Sequence, residues 1–514
     1  RRSSDLVVDN NSRHTDTYYT YRAEQDVKKG NLVKVPFNKG NRTRTAYVIE
    51  TDVQPECDPS VIKTVESVDP DVSLSDEMIQ TCIWMKKRYG IKYLDAIKCF
   101  APNGKPAKEG KEKEPYRDSA GESQNIGALT DEQKAAVSRI GGAVEARRQG
   151  NFLLHGVTGS GKTEVYMSCI ERALERGQGA FLLVPEISLT PQLLERLNHR
   201  FGDLVAVLHS RLNDTERSRQ WQRIKTGQAR VVAGPRSALF APLESPGLIV
   251  LDEEHETSYK SDMQPRFHAV EVAREMARRG GFPLVLGSAT PSVESYKLAQ
   301  EGVYRLLRLT RRAAANASLP TIRTIDMRQE LAMGNMSIFS QDLLEAMGQS
   351  LARREQVILF LNRRGHSSFV SCRKCGFVLK CPACYLPYTY HKDIHRMICH
   401  HCGRQAPEVD RCPQCGSSYV KYFGLGTQRV EEETAKRFPG ARILIMDANT
   451  TGTKNAFQEV YEKIRDYQAD IIIGTQMIAK GMDMPRVTLV GVLAADMTLF
   501  YPDFHSTERT YQLL

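Results

Sequence analysis

The stretch NFLLHGVTGSGKTEVY, residues 151–166, decides the fold class of this chain. A short apolar run is followed by a glycine-rich turn, and a helical pattern begins at Thr163. Residues 156–163 match G-x-x-x-x-G-K-[ST], in which backbone N–H groups and a helix N-terminus surround a phosphate. We predict that Lys162 reaches the β- and γ-phosphate oxygens and Thr163 a magnesium ion. The predicted loop residues are Gly156, Gly159, Gly161, Lys162 and Thr163.

Similar apolar runs, each followed by a helical stretch, occur after this loop. One series contains AFLLVPE, VVAGPR, GLIVLDEE and FPLVLGSAT, and a later one contains QVILFLNRRG, ARILIMD, ADIIIGTQ and VTLVGVL. Buried strands that alternate with helices are typical of a mainly parallel sheet covered by helices on both faces. The sequence therefore predicts two α/β domains.

The regions outside the two α/β series differ in composition. Residues 17–50 mix short alternating apolar runs with turn residues and predict a small β-rich unit, and LSDEMIQTCIWMKKRYG has helical spacing. A charged, Pro- and Gly-containing segment then predicts a linker. The predicted domains are 1–100 (β-rich), 101–126 (linker), 127–310 (first α/β lobe), 311–371 (start of the second lobe), 372–418 (cysteine-rich insertion) and 419–514 (rest of the second lobe).

Composition excludes several classes of protein. The 514 residues carry a net charge of +10, a mild attraction to polyanions. No run approaches the roughly 18 apolar residues of a membrane span. Eight of the twelve cysteines fall between positions 372 and 415 as C-x-x-C pairs, which favours metal binding in a reducing cytoplasm over disulfides.

An acidic segment, LDEEH, follows the apolar run of GLIVLDEE. A magnesium ion at the phosphate loop needs a carboxylate at the end of a neighbouring strand. We predict that Asp252 holds the metal and that Glu253 orients the attacking water. The alternative is that these acids only cap the next helix.

Four C-x-x-C pairs suit two structural zinc ions with four thiolates each. The spacing between pairs allows either nested or sequential pairing. Interleaved histidines, His391, His395, His400 and His401, are interpreted as surface residues. The predicted ligands are Cys372, Cys375, Cys381, Cys384, Cys399, Cys402, Cys412 and Cys415.

The ordered motifs resemble superfamily 2 helicases and, within them, the primosomal protein N′ (PriA) family of replication-restart helicases. The resemblance rests on GVTGSGKTEVY, LLVPEISLTPQ, GPRSALFAP, DEEHETSYK, GSATPSVES, FLNRRGHSSFVSC, the cysteine block, GLGTQRVEEE and GTQMIAKGMDMPRVTLV. It implies two RecA-like lobes with ATP and Mg²⁺, 3′-to-5′ movement on DNA, nested zinc pairing and a β-rich DNA-binding N-terminal domain. It also implies forked and single-stranded DNA, single-stranded DNA-binding protein and primosome proteins as partners, a monomer, and a bacterial cytoplasmic, nucleoid-associated location.

The resemblance also implies site residues. Gln133 would read the adenine edge, with an ordinary polar helix start as the alternative. Small residues of GSAT would couple the nucleotide and DNA sites. The implied DNA contacts, which could instead be helix caps or an exposed loop, are Ser188, Thr190, Arg236, Ser237, Tyr259, Lys260, Arg266, Phe267, Thr475 and Gln476.

Three departures from the family pattern matter. The family has a winged-helix domain where this chain has only residues 101–126, and its N-terminal Phe-Asp-Tyr pattern corresponds to Tyr19, Thr20 and Tyr21, which leaves that pocket without an assigned role. The chain ends at HSTERTYQLL, before the family's last helicase motif with its arginine, so we expect weak ATP hydrolysis. The alternatives are a zinc-stabilised DNA-fork binding scaffold with little turnover and, less favoured, a small-molecule P-loop kinase.

Overall fold

A computed structural model describes most of the chain. The chain forms two compact units, Arg1–Leu189 with Leu193–Ser318, and Thr190–Gln192 with Leu319–Leu514. Among the described residues, no helix has the length and apolar character that a membrane crossing requires. The described residues are 2–10, 16–100, 128–185, 189–210, 212–313, 320–361, 369–391, 393–422, 426–447, 456–475, 484–501 and 503–514.

The N-terminal part of the first unit is a five-stranded antiparallel sheet. Its strands are β1 (Arg2–Val8), β2 (Tyr19–Ala23), β3 (Asn31–Phe37), β4 (Arg42–Thr51) and β5 (Ser67–Ser73). They lie in the order β2-β1-β4-β3-β5. Alternate residues of β3 point inward: Val33, Val35 and Phe37 are buried. This sheet confirms the predicted β-rich N-terminal unit.

Two helices follow this sheet, α1 (Asp76–Tyr89) and α2 (Tyr93–Phe100). Helix α1 begins where the Ser75 side chain accepts a hydrogen bond from the Met78 N–H, and it ends at Gly90 with φ of 62°. The structure therefore confirms the helical spacing of LSDEMIQTCIWMKKRYG. The predicted linker, 101–126, lies outside the described residues.

A seven-stranded parallel sheet forms the rest of the first unit. Its strands are β6 (Gly150–Gly156), β7 (Gly179–Leu183), β8 (Val205–Val207), β9 (Val231–Gly234), β10 (Pro246–Leu251), β11 (Pro283–Ser288) and β12 (Arg305–Leu309). They lie in the order β12-β6-β11-β10-β7-β9-β8, and every neighbouring pair is parallel. The helices are α3 (Asp131–Glu145), α4 (Lys162–Glu175), α5 (Pro191–Phe201), α6 (Asp214–Lys225), α7 (Ala269–Gly280) and α8 (Val293–Gln300).

Successive residues of these strands enter different core clusters. Phe152 and Leu154 lie in the cluster that includes α3 and α4, whereas Leu153 lies in the cluster that includes α7. Because both faces of the sheet are covered, its central strands are apolar throughout, as the sequence predicted.

The second unit contains a smaller parallel sheet and the cysteine-rich insertion. Its strands are β13 (Gln356–Leu361), β14 (Val370–Cys372), β15 (Thr389–His391), β16 (Arg396–Ile398), β17 (Gln405–Pro407), β18 (Val420–Tyr422), β19 (Ile443–Met446), β20 (Ile471–Gly474) and β21 (Val487–Leu493). The parallel sheet has the order β19-β20-β13-β21. The helices are α9 (Met327–Ala332), α10 (Gln341–Ala352), α11 (Thr427–Arg437), α12 (Ala456–Arg465) and α13 (Ser506–Leu513).

The cysteine-rich insertion lies between β13 and β19 of this sheet and is antiparallel. Strand β14 pairs with β18, and β15, β16 and β17 form a three-stranded sheet. The predicted fold class, two parallel-sheet lobes with a zinc-binding insertion in the second and a small β-rich N-terminal domain, is confirmed. The exact domain bounds stay predictions.

Candidate functional site

The phosphate loop joins the end of β6 to the start of α4. Gly159 and Gly161 have φ of +78° and +77°, a left-handed backbone that glycine adopts without strain. A Cβ on Gly156 would lie 2.6 Å from Ser160 Oγ, so this glycine allows the close turn. In this conformation Lys162 Nζ donates to the Gly156 carbonyl oxygen at 2.8 Å. The lysine thus lies over the loop, at the first residue of α4.

Gln133 supports the loop from α3. Its Oε1 accepts from the Thr130 N–H at 2.7 Å, which completes a capping box, and its Nε2 donates to the Ser160 carbonyl oxygen at 2.8 Å. The side chain is 3% exposed. Both ends of the amide therefore contact protein in this structure, and the predicted role in reading adenine stays a prediction.

Asp252 directly follows β10, in the same parallel sheet as β6. Its Oδ1 accepts a hydrogen bond of 2.9 Å from the hydroxyl of Tyr166, a buried residue of α4. Burial raises the pKa of Asp252, and the charge of Lys162 and the Tyr166 hydrogen bond act in the opposite direction. The lysine of the loop and the acid of the strand therefore belong to one electrostatic site.

Glu253, the acid that follows Asp252, has different surroundings. Glu253 has φ of +49°, a left-handed conformation that is uncommon for a residue with a side chain. Its Oε2 lies 3.6 Å from His255 Nδ1, and the same nitrogen lies 2.7 Å from Ser288 Oγ. Strained backbone at a strand end is common at functional sites and is compatible with the role predicted for Glu253.

Glu254 connects the acidic segment to GSATPSVES. Its carboxylate accepts hydrogen bonds from the Ser292 N–H at 2.7 Å and the Ser295 hydroxyl at 2.8 Å, at the start of α8. Burial raises its pKa, and these hydrogen bonds oppose the shift. Glu254 thus holds the start of α8, which is not the next helix along the chain, while Asp252 belongs to the phosphate-loop site.

The structure changes part of the predicted DNA surface. Tyr259 and Phe267 are 1% and 6% exposed, so their burial contradicts the expectation that their rings stack on bases. The Tyr259 hydroxyl lies 2.6 Å from the Asp252 carbonyl oxygen and 3.0 Å from that of Leu183. Aromatic spacing in the sequence did not distinguish a ring facing solvent from one that holds two strand ends together.

Other predicted DNA contacts occupy different positions. Lys260 and Arg266 are exposed, as is Ser237. Arg236 Nη1 donates to the carbonyl oxygens of Ser258 and Lys260, at 2.6 and 2.9 Å. Thr190 is 2% exposed, and Thr475 follows β20. Ser188 and Gln476 lie outside the described residues.

The sulfur atoms of the cysteine-rich insertion form two groups of four, and within each group all four lie within 4.8 Å of one another. The separations between Cys372 and Cys415 Sγ and between Cys381 and Cys402 Sγ are 3.6 and 3.7 Å. A zinc–sulfur bond of about 2.3 Å in a tetrahedron places sulfurs about 3.8 Å apart, so both groups fit zinc. The groups are Cys372, Cys375, Cys412 and Cys415, and Cys381, Cys384, Cys399 and Cys402.

The grouping selects nested over sequential pairing, as the family resemblance implied. Each C-x-x-C is a turn in which the fifth residue donates its N–H to the carbonyl oxygen of the first cysteine, and that fifth residue has positive φ. Three of the four are glycines and one is Tyr385. The four turn residues are Gly376, Tyr385, Gly403 and Gly416.

Among the residues that sequence reasoning missed, Tyr166 has a usable signal. It lies four residues after Lys162 in α4, and residues four apart lie on the same face of a helix. A hydroxyl at that position could have been expected to reach the strand ends beside the loop. Glu254 offered no such signal, since its partners on α8 lie about forty residues away in sequence.

The phosphate loop and the acid at the end of a neighbouring parallel strand are typical of P-loop NTPases. A family model described as DEAD/DEAH box helicase matches residues 130–298. Models described as 3'DNA-binding domain (3'BD) and PriA DNA helicase Cys-rich region (CRR) domain match residues 5–102 and 381–407.

Comparison with curated proteins shows the family to which the chain belongs. The chain is 38% identical to Replication restart protein PriA of Treponema pallidum over 509 residues, which covers 97% of this chain and 75% of that protein. It is 50% identical to the Bacillus subtilis protein of the same name over 402 residues, 78% of this chain and 50% of the relative. The Rickettsia felis protein is 35% identical, with 94% and 73% covered. The chain belongs to the PriA family, and it spans about half the length of the Bacillus subtilis relative.

Proposed function

We propose that this chain is an ATP-dependent 3′-to-5′ DNA helicase that recognises stalled or abandoned replication forks and initiates primosome assembly for replication restart. The main support is the joint placement of Lys162 and Asp252, because their charges act on each other at the loop end of a parallel sheet. Family membership supports the restart role.

We assign each residue of the nucleotide site a role in ATP binding or hydrolysis. ATP with Mg²⁺ supplies the phosphoryl group and the charge that activates it for attack by water. The glycine loop and Lys162 hold the phosphates, while Thr163 and Asp252 hold the metal. Glu253 orients the attacking water and accepts its proton. Tyr166 keeps the Asp252 carboxylate in position.

For DNA, the proposed contacts do not read sequence. Hydroxyl and cationic side chains bind phosphates of a single strand whatever its bases are. The buried rings of Tyr259 and Phe267 are left out of the proposed surface. Thr190, which is 2% exposed, is left out for the same reason. The individual contacts that we still propose are Ser188, Arg236, Ser237, Lys260, Arg266, Thr475 and Gln476.

The remaining proposals concern the cellular setting. We propose forked and single-stranded DNA, single-stranded DNA-binding protein and other primosome proteins as partners. The proposed state is a monomer in the bacterial cytoplasm, associated with the nucleoid. Light scattering of the purified chain tests whether it is a monomer, and fluorescence microscopy of a tagged chain tests its location.

The central experiment measures phosphate release by the chain with and without single-stranded DNA. We expect DNA to stimulate release and Lys162→Ala to lower it by about 100-fold or more, because an electrostatic contact to the transferring phosphate is lost. Lys297→Ala, an exposed lysine of α8, is the matched control. The assay also measures the weak turnover expected of this chain.

Two further outcomes separate the alternatives. Tight fork binding without stimulated release would favour the DNA-fork binding scaffold, and DNA-independent transfer to a small acceptor would refute both proposals in favour of a kinase. Direction is tested with partial duplexes that carry a 3′ or a 5′ tail. Unwinding of the 3′-tailed substrate alone is expected.

A further inference from the structure

The N-terminal helices contact the loop of residues 259–268, hereafter the aromatic loop. Tyr89, the last residue of α1, donates to Glu271 Oε2 at 2.7 Å and accepts from the His268 N–H at 3.3 Å. Arg88 forms an ion pair of 2.6 Å with the same Glu271. Lys260 Nζ lies 5.5 Å from the centre of the Tyr89 ring. The end of α1 thus contacts both ends of the loop.

A second contact runs through three phenylalanine rings. Phe100, the last residue of α2, packs edge-to-face on Phe240 with ring centroids 4.9 Å apart. Phe240 packs in the same way on Phe267 of the aromatic loop, also at 4.9 Å. All three rings are buried, so the N-terminal helices and the motor share one hydrophobic cluster. Such edge-to-face pairs add about 0.5–1.5 kcal/mol each beyond the area that they bury.

Hydrogen bonds within the aromatic loop join its two ends, and one lies nearer the tip, from the Ser261 hydroxyl to the Met263 carbonyl oxygen at 2.9 Å. Ser261 N–H donates to the Phe267 carbonyl oxygen at 2.8 Å, and Lys260 Nζ donates to the Arg266 carbonyl oxygen at 2.7 Å. Met263 near the tip is 76% exposed. The loop base also reaches the nucleotide site, because the Tyr259 hydroxyl contacts the Asp252 carbonyl oxygen. In addition to its own hydrogen bonds, the aromatic loop is contacted from outside by Phe240, through Phe267, and by Tyr89, through His268 and Lys260.

We infer that Tyr89 and Phe100 of the N-terminal helices are positioning residues of the motor, which hold the aromatic loop where its exposed cations meet DNA. The DNA part of this inference rests on the proposed function. Through this contact the N-terminal domain contributes to the DNA-stimulated reaction, although Tyr89 and Phe100 lie outside the nucleotide site described above.

The test uses the full chain with Tyr89→Phe and, separately, Phe100→Leu. Tyr89→Phe keeps the ring and removes every hydroxyl hydrogen bond, to Glu271 and to the N–H and carbonyl oxygen of His268. Tyr422→Phe is the matched control, because the Tyr422 hydroxyl also makes hydrogen bonds, to the N–H and carbonyl of Val409 in the cysteine-rich insertion. Hydrogen exchange of the peptide that spans residues 259–268 and the DNA concentration at half-maximal stimulation are measured, with phosphate release in the absence of DNA as reference.

We expect faster exchange in the aromatic loop of both variants and a half-saturating DNA concentration raised about two- to tenfold, the scale of one net hydrogen bond. Phosphate release without DNA should equal that of wild type in both variants. The Tyr422→Phe control should equal wild type in every measurement. The inference would be overturned by unchanged hydrogen exchange in the aromatic loop or by an unchanged half-saturating DNA concentration. An equal fall of phosphate release with and without DNA would also overturn it. If wild type itself shows no stimulation, the proposed function fails, while loop exchange alone still decides whether Tyr89 and Phe100 position the loop.

Discussion

The Tyr166 hydroxyl donates a hydrogen bond of 2.9 Å to Asp252 Oδ1. Tyr166 lies one turn beyond Lys162 in α4, so the helix that begins at the phosphate loop also orients the acid at the end of β10. A single helix thereby fixes both halves of the proposed metal–phosphate site relative to each other.

Tyr166→Phe should weaken this site. The hydrogen bond lowers the pKa of Asp252 against the effect of burial, so its loss should raise that pKa further. We expect the acid limb of the pH–rate profile to move to higher pH and magnesium affinity to fall about tenfold, as for a hydrogen bond to a charged group. Steady-state phosphate release at varied pH and magnesium measures both.

Tyr259→Phe is the control for this prediction, because its hydroxyl contacts the backbone carbonyl of Asp252 and not the carboxylate. It should lower thermal stability without moving the acid limb. An equal shift in both variants would contradict the role assigned to Tyr166.

Gly287→Ala should be strongly destabilising. The new Cβ would lie 1.6 Å from Tyr166 Oη and 2.7 Å from its Cζ. Because the Tyr166 ring is buried, relief requires a shift of packed structure, which costs about 1–3 kcal/mol or more. Urea denaturation measures the loss.

Gly348→Ala is the matched substitution, at a helical glycine whose Cβ would meet nothing within 4 Å. It should be neutral or stabilising. Combining Gly287→Ala with Tyr166→Phe should cost less than the sum of the two single changes, since the nearest clashing atom is removed. Strict additivity would argue against the predicted clash.

Gly403→Ala should weaken one zinc turn. Gly403 has φ of +75°, and open space surrounds the position of its Cβ, so backbone strain is the main effect and costs about 1–2 kcal/mol. Metal analysis should find two zinc ions per chain before chelation. We then expect faster zinc release from the variant when a chelator is added.

The control for the zinc turn is Gly440→Ala, at a glycine without positive φ and with equally open surroundings in the same unit. Its zinc release should match wild type. Fewer than two zinc ions in the wild-type chain would refute the two-site assignment itself.

Lowering the pH should weaken the contact between α1 and α7. Burial raises the pKa of Glu271, but hydrogen bonds from Tyr89 and Arg88 outweigh it, and the net pKa lies below the ordinary 4.5. The folded value is therefore lower than the unfolded one, so the stabilisation is present above pH 4.5 and is lost as pH falls through the folded value. The stability difference between wild type and Glu271→Gln should be largest above about pH 5 and shrink toward about pH 3.

Urea midpoints across this pH range test the prediction, with Glu301→Gln as the control because Glu301 forms an exposed ion pair with Lys297. Such surface pairs contribute about 0–1 kcal/mol, so the control should differ little from wild type at any pH. A pH-independent effect of Glu271→Gln would contradict the assigned charge state.

The strand series and the phosphate loop could be predicted because they follow from short-range rules. The predicted series lacked β8 and β12 for identifiable reasons: β8 has only three residues, and Arg305 and Arg308 interrupt the apolar run of β12 at the sheet edge. Tyr259 and Phe267 were assigned to DNA because the family resemblance implied it, together with Lys260 and Arg266. Their burial depends on Phe240 and on the strand ends beneath them, which are distant in sequence.

The sequence by itself determined the elements whose physics is local: glycines at positive φ before a helix, apolar runs that become covered strands, and pairs of cysteines on one turn with two residues between them. Tertiary structure decided which distant groups meet. It paired the outer cysteine turns with each other and the inner ones with each other, joined Tyr166 to Asp252, and turned Tyr259 inward. Backbone preferences act over a few residues, whereas contacts between distant residues depend on how sheets and helices pack.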